Sequence, residues 1–63
     1  MNKWISFDQR LPTRKDANAK GEVELCESNG SRRIGMWDWI TPNRDDAVDL
    51  WHINGFAAWR KTL

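Results

Sequence analysis

Asn29-Gly30 stands between two stretches that alternate polar and apolar residues, "GEVELCES" before it and "SRRIGMWDWI" after it. Asn-Gly is the favoured two-residue hairpin loop, because both of its central residues need positive φ. Strands over residues 21–28 and 31–40 follow, and the loop sets their register. Ser28 faces Ser31, Glu27 faces Arg32, Cys26 faces Arg33, Leu25 faces Ile34, Glu24 faces Gly35 and Val23 faces Met36. Opposed residues share a sheet face. This register gathers Val23, Leu25, Ile34 and Met36 on one side and puts Trp37 and Trp39 on the other, with Cys26, Arg33 and Glu22. A bulge near Gly35 would slide the strand by one residue and reverse the two sides.

A second Asn-Gly pair, Asn54-Gly55, predicts a second hairpin with strands over 48–53 and 56–60. It pairs Ile53 with Phe56, Trp51 with Ala58, Leu50 with Trp59 and Asp49 with Arg60. Between the hairpins "TPNRDDA" reads as a turn, with Asn43 as a cap for one helical turn. Near the start, Ser6 with Gln9 three residues on has capping-box spacing, which predicts one helical turn over 7–10, ended by Pro12. Residues 13–21 are polar, lack apolar periodicity and end in glycine, so a solvated mobile loop is expected. The fold class that results is mostly β: one small domain over 1–63, an antiparallel sheet of two hairpins with a short N-terminal helical turn.

With 63 residues the chain buries only about 60% of the surface its unfolded form exposes. Its five tryptophans therefore matter, either as the bulk of the core or as a face shown to a partner. Cys26 is the only cysteine, which excludes an intrachain disulfide and a paired-cysteine metal site. His52 is the only histidine, and nothing around Cys26 or His52 marks a nucleophile or its base, so neither is assigned a catalytic role. No paired-carboxylate, metal-ligand or phosphate-loop spacing is present; no enzyme activity, cofactor or metal is expected. Net charge is +1, spread as +3 over residues 1–20, −2 over 21–40 and zero beyond. That balance argues against function by bulk attraction to phosphate. No apolar run approaches the ~20 residues that span a bilayer, and the start of the chain does not read as a secretion signal; a cytoplasmic location is expected.

The segment "WISFDQRLP" resembles the W-I-S-x-x-x-R-L-P opening of the domain-of-unknown-function 551 family, small proteins found mainly in phage and prophage genomes. The specific positions are Trp4, Ile5, Ser6, Arg10, Leu11 and Pro12. The central hairpin, "GMWDW" and the closing Trp59 resemble later parts of that family, whose members commonly carry a histidine where Ala58 stands here. The resemblance implies a phage-type origin and a compact fold; the family has no established activity to carry over. Motif and hairpin pattern together nominate Trp4, Leu11 and Trp59 as structural anchors sharing one core.

Two function classes remain. In the first, the chain is a protein-binding module that modulates a host or phage protein, with Trp39, Trp37, Arg32 and Arg33 as its contact patch and Trp39 the more accessible ring, because Trp and Arg dominate interface hot spots. In the second, Trp37 and Trp39 stack single-stranded nucleic acid while Arg32 and Arg33 meet phosphates, against the opposition of Glu22, Glu24 and Asp38 nearby. Exposed sheet edges would also favour self-association.

Overall fold

The computed structural model describes residues 3–40 and 44–62. Four antiparallel strands, β1 (Ile5–Ser6), β2 (Glu22–Glu27), β3 (Arg32–Met36) and β4 (Phe56–Lys61), form a sheet in the order β1-β4-β2-β3. A helix, α1 (Arg44–Ile53), packs against β4 and covers one face. The core lies between them: Phe7, Val23, Leu25, Trp51, Phe56 and Trp59 are buried, with Ile5, Leu11, Ala17, Trp37 and Ile40 packed around them. The opposite face of the sheet carries Glu22, Glu24, Cys26, Arg32, Ile34, Met36, Ala58 and Arg60, and no helix covers it among the described residues. The mostly β antiparallel class is therefore the observed one.

The expected strand over 48–53 is instead the C-terminal part of α1, and the second hairpin does not form. Ala47 and Trp51, one helical turn apart, are buried together, while Asp49 between them, which a strand would have put on the same face, is exposed. Asn54-Gly55 ends the helix. The Asn54 amide donates to Leu50 O at 3.1 Å, the Gly55 amide to His52 O at 3.0 Å, and Gly55 takes φ +88. These are the marks of a glycine C-cap, where positive φ costs glycine nothing. The expected cap at Asn43 lies outside the described residues.

The first hairpin forms, but one residue out of the expected register: Glu24 pairs with Ile34, Leu25 with Arg33, and Val23 with Gly35. The cause is the loop. No described non-glycine residue has positive φ, so Asn29 cannot supply the two-residue turn, and only Gly30 is left-handed at φ +92. Gly30 N donates to Glu27 O at 2.9 Å and Glu27 N to Ser31 O at 2.8 Å, which makes Ser28, Asn29 and Gly30 a three-residue loop. One extra loop residue turns every β3 side chain over. Arg33 and Gly35 thus join Val23 and Leu25 on the core side, while Ile34 and Met36 move to the open face, where Ile34 is 54% exposed.

A second irregularity serves the core. Phe56 and Trp59 are three apart, so a regular strand could not bury both on one side. Between β2 and β4 the register shifts at Cys26/Glu27, pairing Cys26 with Ala58 and Glu27 with Phe56, and the unpaired Ala57 is a β-bulge that returns Phe56 to the core. Phe7 N donates to the bulged residue's carbonyl at 3.4 Å.

The N-terminal arm is held by Trp59 and Asp16. The single turn expected after Ser6 is present, with the Gln9 and Arg10 amides both donating to Ser6 O. The Trp59 indole Nε1 donates to Arg10 O at 3.0 Å, and the Arg10 guanidinium lies 4.7 Å from the Trp59 ring centroid. Arg10 also bridges to Asp16 at 3.0 Å. Asp16 accepts from Thr13 N at 2.8 Å and Thr13 Oγ1 at 2.9 Å, closing a turn over Arg14–Asp16. The segment expected to be a mobile loop is therefore organised around a carboxylate that is only 6% exposed. Burial pushes the Asp16 pKa up, but the bonds from Arg10 and Thr13 outweigh it and hold the carboxyl below its usual value. A carboxylate depressed in the fold contributes stability that is complete above its unfolded pKa and is lost as pH falls through the folded one. Acid unfolding is thus expected to begin below about pH 4. Asp16→Ala should cost about 2–3 kcal/mol at neutral pH and flatten that acid limb, read by urea titration at several pH values.

Trp4 departs from the expected shared core. It is half-buried on the open face, where the Arg60 guanidinium stands 4.1 Å from its ring centroid, whereas Trp59 is fully buried and Leu11 packs against the core from its edge.

Candidate functional site

β3 ends at Met36. Trp37 N donates to Gly21 O at 3.0 Å, one rung past the strand, and Trp39 N donates to Met36 O at 3.2 Å, so the chain folds back over the sheet it has just left. Gly35 makes this return feasible. A Cβ at position 35 would stand 2.8 Å from Trp39 Cζ3 and would collide with Leu25 Cδ1, so only glycine lets the indole lie on the strand. Trp37 packs against the core, as a half-buried ring. Trp39 stays 54% exposed.

Beside Trp39 opens a groove of about 380 Å3 lined by Arg33, Trp39, Ile40, Trp51, Asn54 and Phe56. Its composition is aromatic and aliphatic with one cation and one amide at the rim. Trp51 and Phe56 are held there by the core: Trp51 stacks on Phe7 at 4.6 Å and meets Phe56 edge-on at 5.7 Å. Arg33 is steered by Glu27, whose carboxylate lies 3.2 Å from its Nε, and its side chain is 65% exposed. Next in the chain to Asn54, Ile53 is 78% exposed, which extends the apolar surface at the end of α1.

The structure thus brings two of the four expected contact residues, Trp39 and Arg33, to one groove, packs Trp37 against the core and puts Arg32 on the other face. Arg32 lies on the open face, 3.5 Å from Glu24. Glu24 also receives Arg60 through Nε at 2.8 Å and Nη2 at 3.1 Å. The Arg60 hydrogen bond, helped by the charges of Arg60 and Arg32, lowers the Glu24 pKa against partial burial. The row Trp4, Arg60, Glu24, Arg32 is a satisfied surface network. The one-patch grouping of Trp39 with both arginines is corrected by the alternation of the strand, whose adjacent residues point to opposite faces.

Ile40, Trp51, Asn54 and Phe56 are not recognisable as site residues from the sequence, because it is the helix over 48–53, in place of the expected strand, that brings them together. Cys26 is half-buried on the open face, as expected of a strand cysteine. His52, expected on a strand, lies in the last turn of α1, with Nε2 3.3 Å from Asp8 Oδ1 on the exposed surface. Among the described residues no group of three His, Cys, Asp or Glu side chains is placed to hold a metal ion, and no helix is long and apolar enough to cross a membrane. No protein-family model, curated protein or solved structure matches the chain.

Proposed function

We propose that this chain is a small, non-catalytic protein-binding module of the bacterial cytoplasm, a phage-type accessory protein that docks on a host protein and modulates it. Its docking site is the Trp39 groove. The observation that carries the reading is the exposure of Trp39, the one tryptophan of five left more than half uncovered, at the rim of an aromatic groove in a domain short of buried surface. An indole buries some 150–250 Å² when fully covered, so a partner that closes over this ring gains a large contact from one side chain. Arg33 selects a partner that brings a carboxylate beside its apolar anchor.

Trp39→Ala is expected to weaken partner capture by about tenfold or more, on the order of 1–2 kcal/mol, with little change in melting temperature. Arg32→Ala, on the other face, should bind as the native chain does. Equal binding by Trp39→Ala and the native chain would remove the groove from consideration.

The single-stranded nucleic-acid reading draws less support. The two tryptophans stand in a turn beyond the end of β3 and not as a flat platform, Trp37 is half-buried, and each arginine already faces a carboxylate. No electrophoretic shift of short single strands is expected at moderate salt, and a shift lost in Trp39→Ala would reassign the groove to bases.

A further inference from the structure

The sheet has two unequal edges. β1 is two residues long and gives a second chain little to pair with, whereas β3 offers five residues with no proline, and its first three are exposed. The direction of its backbone groups follows from the ladder. Glu27 bonds Ser31 and Gly21 bonds Trp37, so the odd-numbered β3 residues turn their amides and carbonyls toward β2. Those of Arg32, Ile34 and Met36 point outward. Apart from the Met36 carbonyl, which accepts from Trp39 N, these groups have no partner among the described residues.

We propose that two copies of the chain join antiparallel through β3, two-fold symmetric about Ile34, into one continuous sheet. Outward groups must meet outward groups, which restricts the two-fold to one residue of the strand or another, and the side chains decide which. Centring on Arg32 or on Arg33 would set an arginine against its own copy, a like-charge pair directly opposite. Centring on Gly35 would put the two glycines at the close spacing of about 4.5 Å with a Trp39 ring lying over each on the same side. Centring on Ile34 avoids both. Ile34 then meets the partner's Ile34 through their amides and carbonyls, and the Met36 amide meets the carbonyl of the partner's Arg32. Arg32 lies opposite the partner's Met36, and Arg33 lies opposite the partner's Gly35, beneath the ring of the partner's Trp39. Each cation thus faces a neutral residue, and one of them a π-face.

A two-fold of this kind stands perpendicular to the sheet, so both α1 helices and both Trp39 grooves fall on the same side of the joined sheet. The dimer does not depend on the groove having a partner, and it is read by mass and not by capture. Sedimentation equilibrium from low micromolar to millimolar concentration should show a monomer–dimer transition. Ile34→Pro removes an outward amide without touching the bonds to β2, and should leave a folded monomer by chemical shifts. Ile34→Lys keeps the backbone intact, sets two ammonium groups face to face and should also be monomeric, which decides the matter if the proline variant fails to fold. With Cys26→Ala in place, Ile34→Cys should be joined to its own copy by a short bis-maleimide. A native chain that stays monomeric at millimolar concentration overturns the proposal. So does a dimer that survives Ile34→Lys, or one in which the cysteine variant fails to cross-link.

Discussion

Trp59→Ala is expected to have no cooperative unfolding transition, because the protein will already be largely unfolded without denaturant. Trp59 is fully buried on β4, an inner strand, beside Leu25 on β2 and Ile5 on β1. Truncating such a ring costs about 3–5 kcal/mol. A chain of this length has roughly 3–9 kcal/mol in all, at the usual stability per residue. The change also strips Arg10 O of its indole donor and Arg10 of the ring it lies on, so the N-terminal arm loses its tether at the same time. Trp59→Phe separates the two losses. It keeps most of the apolar volume, loses the N–H, and should remain folded with stability lower by about 1–2 kcal/mol from the bond alone. Urea denaturation followed by chemical shifts measures both, and a Trp59→Ala protein with a native-like transition would mean that the core is organised around another residue.

Trp51→Ala is the other large effect, and it is local in origin. α1 is ten residues long, too short to be helical in isolation, and Ala47 and Trp51 are its fully buried described side chains. The indole contributes its own burial and two ring contacts, one stacked on Phe7 and one edge-on to Phe56. Its loss should cost about 3–5 kcal/mol. Helical amide protection over 47–53 should disappear first, ahead of the β2–β3 ladder. Ile53→Ala, at a position 78% exposed, should leave both untouched. If helix protection in Trp51→Ala equals that of the native chain, α1 is held by contacts other than this ring.

Three of the four strands and the antiparallel class were legible because alternation and turn residues are local signals. β2 and β3 fall within the stretches expected as strands and β4 runs one residue past its expected end at 60, while the long strand expected over 31–40 is cut at Met36 where the chain turns back over Gly35. The helix differs from the expected strand for a definable reason. "VDLWHI" alternates well enough to pass for a strand, and Asn54-Gly55 serves equally as a hairpin loop or as a helix stop. The spacing of Ala47, Val48 and Trp51, followed by glycine after His52, was the signal for the other outcome. The register differs for a single reason, the count of residues in the loop at Gly30, which decides that Arg33 and not Arg32 shares the core side with Trp39. Trp39 is untouched by that difference because its exposure depends on the turn beyond the strand and not on the strand's register. Of the Asp16 cluster only the Thr13-x-x-Asp16 capping-box spacing is local; the burial of the carboxylate and the approach of Arg10 depend on the fold.

The bulge at Ala57 makes the spacing of Phe56 and Trp59 a countable signature. In this architecture the closing strand must carry its two large aromatics an odd number of positions apart, with a small residue to absorb the extra step. A related chain with the same sheet but an F-x-W spacing must have discarded the kink, and with it the carbonyl at Ala57 that receives Phe7. Deleting Ala57 should therefore be milder than its place in an inner strand suggests: it leaves Phe56 and Trp59 two positions apart, the spacing that turns both rings to the core in a regular strand, and gives up only the kink and the carbonyl that receives Phe7.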